Sequence, residues 1–97
     1  MGADNIFLIV KGGNQTYVRR RFKEKHENDL HEYGHDAYAG TWGNVDDVKF
    51  TGKTFKSKDE AMEYLYDNCK KWDDGLVVEY RNSEGQLVWM IGACVAC

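Results

Sequence analysis

The stretch from Asn5 to Val10, closed by Lys11-Gly12-Gly13, constrains the fold of this chain more than any other. It is too short for a stable helix, rich in β-branched and aromatic residues, and punctuated by glycine. Such a run suits a strand buried on both faces, in the middle of a sheet. A helix signal follows at once. Asn14 is a good N-cap for a helix beginning near Gln15. On a 100° wheel Val18, Phe22, His26, Leu30 and Tyr33 form one apolar stripe. Gly34 is placed to stop the helix in a left-handed C-cap. The chain therefore opens as β-α, with the helix returning over the strand.

The remaining punctuation yields five further elements. Residues 37–42 and 48–51 are expected strands, separated by the turn residues Gly43-Asn44-Val45-Asp46. Ser57-Lys58-Asp59-Glu60 is a capping box, and the helix it opens is expected to run toward Trp72, burying Ala61, Leu65, Cys69 and Trp72. Residues 76–80 and 86–91 then read as a hairpin around Asn82-Ser83-Glu84-Gly85, with glycine in the left-handed position. The order β-α-β-β-α-β-β predicts one α+β domain over residues 1–97. Its simplest packing is an antiparallel sheet with both helices on one face, a ferredoxin-like sandwich with one extra C-terminal strand. That last strand would be an open edge for self-association or a partner.

Composition limits the functional classes. Hydrophobic residues make up 42% of the 97 residues, enough to build a core rather than a disordered tail. No apolar run reaches the length of a membrane span. MGADNIFLIV lacks the pattern of a secretory signal, and three cysteines are an odd number for a disulfide framework, so a reducing cytoplasm is the expected location. Charge is uneven along the chain. Residues 1–25 hold six Lys/Arg against Asp4 and Glu24, while seven Lys/Arg face fourteen Asp/Glu in the rest, for a formal net charge of −3. The acidic bulk disfavours nucleic acid, and Val48 to Phe55 does not match the RNA-recognition pattern. Thr51-Gly52-Lys53-Thr54 lacks the upstream glycine of a phosphate-binding loop, where Asp47 stands instead.

One motif points to chemistry. His31-Glu32-Tyr33-Gly34-His35 spells H-E-x-x-H, which on a helix sets two histidines one turn apart. This stretch resembles the zincin metallopeptidases. The resemblance implies zinc held by His31 and His35, with Glu32 as general base on the bound water. The extended motif fails, with Tyr38 in place of glycine and Thr41 in place of the third histidine. A third ligand would then come from the next helix, from Glu60 or Glu63. At the C-terminus Cys94-Val95-Ala96-Cys97 fits a C-x-x-C pair and also a prenylation box, but neither the helix start of the first nor the basic stretch of the second accompanies it.

Two other features suggest contact rather than catalysis. Arg19-Arg20-Arg21 follow the glycine-rich strand-to-helix junction, a setting for an anion, nucleotide or acidic partner. Three tryptophans and six tyrosines exceed what one small core needs, which makes Tyr38, Trp42 and Trp89 candidates for an aromatic contact patch. The expectation is a non-catalytic interaction module that needs no cofactor and binds another protein. Size and composition associate it with the accessory proteins of phages and mobile elements. The alternatives are a minimal zinc hydrolase at His31, Glu32, His35 and Glu60, and an anion, nucleotide or RNA site at Gly12–Arg21.

Overall fold

The computed structural model describes residues 3–34, 41–70 and 73–96. In chain order these form β1 (Ala3–Lys11), α1 (Gln15–Tyr33), a 3-10 turn (Trp42–Asn44), β2 (Val48–Phe55), α2 (Lys58–Asn68), β3 (Gly75–Arg81) and β4 (Leu87–Ala96). The four strands make one sheet in the order β1-β4-β3-β2. β4 is antiparallel to both β1 and β3, whereas β2 runs parallel to β3. The fold is α+β with a mixed sheet. No described helix is long and apolar enough to cross a membrane.

Local signals act where they were expected. Asn14 caps α1 by accepting a hydrogen bond from the Tyr17 amide at 3.0 Å, and Gly34 ends it at φ 67°. Ser57 caps α2 through the Glu60 amide at 3.3 Å. Glu60 completes the cap differently from a standard box, accepting from the Lys56 amide rather than that of Ser57. In the β3–β4 turn, Asn82 Oδ1 accepts from the Glu84 and Gln86 amides, and Gly85 takes φ 80°.

The layers differ from the expected sandwich. Neighbouring residues of a strand face opposite sides of its sheet. Val77 and its partner Ile91 pack with Val18 and Phe22 of α1, whereas Val78 and its partner Met90 pack with Ala61 and Leu65 of α2. The helices therefore cover opposite faces, not one. The cause is visible in β3 and β4, whose central residues are apolar at successive positions and need cover on both sides. The parallel step from β2 to β3 supplies the second helix as its crossover. α2 sits directly on the strand backbone at Gly92, where a Cβ would lie 2.9 Å from the Leu65 side chain.

Strand order brings further corrections. β4 lies inside the sheet, so the C-terminal strand offers no edge for self-association. β1, expected in the centre, is an edge strand. Within the expected strand 37–42, residues 37–40 lie outside the described residues, while Trp42 belongs to the 3-10 turn, so the described part is not a strand. β2 extends beyond Thr51 because it carries an irregularity between Phe50 and Thr54, with Gly52 at φ 74°. α2 stops at Asn68, with Cys69 as its C-cap, and Trp72 lies outside the described residues. Tyr33, assigned to the apolar stripe, is 50% exposed, because the last turn of α1 extends past the cover of the core.

Candidate interaction surface

The junction between β1 and α1 shapes the surface that most resembles a recognition site. Gly13 sits at φ 81°, and a Cβ there would come within 2.2 Å of the Tyr17 ring. The close turn brings the Gly13 carbonyl to β4, where it accepts a hydrogen bond from Trp89 Nε1 at 3.2 Å. Trp89 in turn meets Phe50 of β2 edge to face, with centroids 5.7 Å apart. The Arg19 guanidinium lies 5.5 Å from the centre of the Phe50 ring and forms an ion pair with Asp47. One turn away, Arg20 lies 5.6 Å from the Tyr17 ring. Tyr17, Arg19, Phe50 and Trp89 are all half-buried, and Arg20 is exposed.

Three elements thus hold an arginine–aromatic shelf in a fixed shape. Each cation–π contact at such partly exposed positions contributes about 0.5–1 kcal/mol. Their value for binding lies in order: rings and guanidinium already sit in place, so little rotamer freedom remains to be lost. Of the expected contact residues, the fold brings Arg19, Arg20 and Trp89 together. Arg21 points elsewhere and pairs with Glu24 in an exposed contact at 3.3 Å. Tyr17, Phe50 and Asp47 were not singled out as members; Tyr17, one turn before Arg20 and Arg21, was the most readable signal.

Trp42 does not belong to this surface. It is 4% exposed and packs edge to face on Phe22, 6.0 Å between centroids. Two polar residues of α1 hold it there. Asp29, itself buried, accepts from the Trp42 amide at 2.9 Å and pairs with Lys25 at 3.2 Å. His26 donates from Nδ1 to the Trp42 carbonyl at 3.0 Å, since a carbonyl can only accept. The core histidine expected on the stripe is thus half-buried and partnered. Tyr38 lies outside the described residues.

The zinc ligand set is not brought together. His31 and Glu32 occupy the last turn of α1, both exposed, and His35 lies outside the described residues. β1 and β2 run the same way, so α1 and α2 both start at one end of the sheet. Glu60, in the first turn of α2, is therefore at the opposite end from His31 and on the opposite face. Its carboxylate is occupied in the helix cap. Glu63 shares that helix. Among the described residues, no three His, Cys, Asp or Glu side chains gather as a metal site.

Three donors of the anion reading are already engaged. Asn14 takes one free amide of α1, Asp47 takes Arg19, and Glu24 takes Arg21. Cys97 lies outside the described residues, and Cys94 is a half-buried thiol on β4. Burial pushes the Cys69 thiol up to about 11, against a lowering hydrogen bond from the Leu76 backbone and with a small push from Cys94. Set against the ordinary value of 9.0, this leaves about a hundredfold less thiolate at neutral pH. Cys69 should accordingly be alkylated by iodoacetamide about a hundredfold more slowly than an unshifted cysteine at pH 7.5. Equal rates, followed by peptide mass spectrometry, would contradict its burial.

Comparison with known proteins finds no matching family model, no matching curated protein and no matching solved structure.

Proposed function

We propose that this protein is a non-catalytic binding module that engages another protein through the shelf of Tyr17, Arg19, Arg20, Phe50 and Trp89. The supporting observation is the pre-set stack of Arg19 on Phe50 and Phe50 on Trp89, contributed by three separate elements and left half-open to solvent. Tryptophan, tyrosine and arginine are the residues over-represented at energetic centres of protein interfaces. The basic N-terminal half of α1 beside the shelf suits a partner that presents carboxylates next to an apolar or aromatic side chain.

Capture from a cell extract, compared across variants, tests the reading. Arg20→Glu reverses one exposed charge without touching the core, and Trp89→Ala removes the ring at the base of the shelf. Each should reduce recovery of the wild-type partner by at least about tenfold, the loss typical of a hot-spot residue. Lys58→Glu, on the other helix, should leave recovery unchanged. Equal capture by all four proteins would refute the assignment.

A further inference from the structure

The two edges of the sheet are built differently. β2 is interrupted between Phe50 and Thr54, and it carries Lys49 and Lys53, both exposed. Bulges and edge lysines are the devices by which sheets discourage pairing with another strand. β1 has neither. It runs nine residues without a bulge, its centre Ile6-Phe7-Leu8-Ile9-Val10 holds no charge or proline, and among the described residues no strand pairs with its outer side.

The cover above β1 is also incomplete. α2 packs chiefly on β3, β4 and β2, and of β1 only Phe7 packs against its core cluster. Ile9 is 38% exposed there. Beside it a cleft is lined by Asp4, Asn5, Phe7, Met62, Glu63 and Tyr66, with Tyr66 itself 64% exposed.

We infer that β1 pairs antiparallel with β1 of a second copy of this chain, joining two sheets into one of eight strands. A two-fold axis normal to the sheet keeps each face on its own side, so residues facing across it have the same parity. An axis at Leu8 matches the sequence best. It sets Ile6 against Val10 of the copy, Phe7 against Ile9, and Asn5 against Lys11. Each copy then covers the other's exposed Ile9 with Phe7. The charges match as well, because Lys11 of one copy arrives on the side of the other's cleft where Glu63 of α2 stands, and symmetry repeats this contact. Self-complementarity of both apolar order and charge favours a second copy over an unrelated strand. The pairing is independent of the shelf on the opposite face.

Sedimentation equilibrium across a concentration series tests the pairing. The wild-type mass should rise from 11.2 kDa toward twice that value. Ile9→Lys sets a charge against an apolar ring at both ends of the pair. Lys11→Glu sets acid against acid. Each should raise the dissociation constant at least about tenfold, with circular dichroism unchanged. Adding Glu63→Lys to Lys11→Glu restores opposite charges and should recover most of the affinity. Hydrogen exchange should show concentration-dependent protection at alternate amides of β1. A wild-type protein that stays at 11.2 kDa throughout would overturn the proposal. So would aggregates of no fixed mass, or a dimer indifferent to Ile9→Lys and to the charge swap.

Discussion

Phe22→Ala is expected to cost about 3–5 kcal/mol of folding free energy, the range for removing a buried aromatic ring. Phe22 is fully buried and holds together Val18, Trp42 and the β4 residues of its face. For a domain whose whole stability is about 5–15 kcal/mol, this is a fifth or more, and the melting temperature should fall by roughly 12 °C or more. Leu65→Ala, at the centre of the other face, should cost about 2–5 kcal/mol. Because the sheet lies between them, the two cores are separate, and their losses should add to within about 0.5 kcal/mol. The milder pair Phe22→Leu and Leu65→Val keeps the double variant folded enough for urea denaturation to measure. Coupling well above that limit would place the two residues in one core and contradict the opposite-face arrangement.

Asp29→Ala should be the most damaging change of a polar side chain. Removing its carboxylate leaves the buried Trp42 amide without an acceptor and Lys25 without its partner. An orphaned buried donor costs about 1–3 kcal/mol, and the partly exposed ion pair adds less than about 1 kcal/mol. The sum, about 1–4 kcal/mol, corresponds to a drop of roughly 5–30 °C in melting temperature. Asp29→Asn keeps an acceptor oxygen and should recover most of this loss. If asparagine proved as harmful as alanine, the hydrogen bond to Trp42 would not be the main contribution.

These two residues mark how far the sequence could be read. The bounds of α1, its Asn14 and Gly34 caps, the Ser57 cap and the β3–β4 hairpin are all local events, fixed within a few residues by capping and turn chemistry. They were legible. Strand order was not, because it depends on which distant strands pair. Ile6 to Val10 is as apolar as a central strand, yet it lies on an edge, and the second half of the chain supplies the centre. The apolar runs of β3 and β4 did carry the signal for a sheet covered on both sides. Asp29 lies seven residues after Phe22, on the same face of α1, yet the stripe of Val18, Phe22, His26, Leu30 and Tyr33 left it out. Its partner, the Trp42 amide, could not be foreseen from a stretch that read as strand. At the surface, Trp89 and Arg19 were visible as residue types, whereas their meeting through Phe50 required the fold. The H-E-x-x-H spacing was legible too, but spacing alone carries no third ligand.

The central claim, a partner bound on the arginine–aromatic shelf, is tested most directly by nuclear magnetic resonance. The ¹⁵N-labelled protein would be titrated with the purified partner while the tryptophan indole signals are followed. The Trp89 Nε1–H signal and the Arg19 and Arg20 amides should shift with partner concentration, while the buried Trp42 indole stays in place. Shifts gathered elsewhere, with Trp89 and Arg20 unmoved at saturation, would contradict the account.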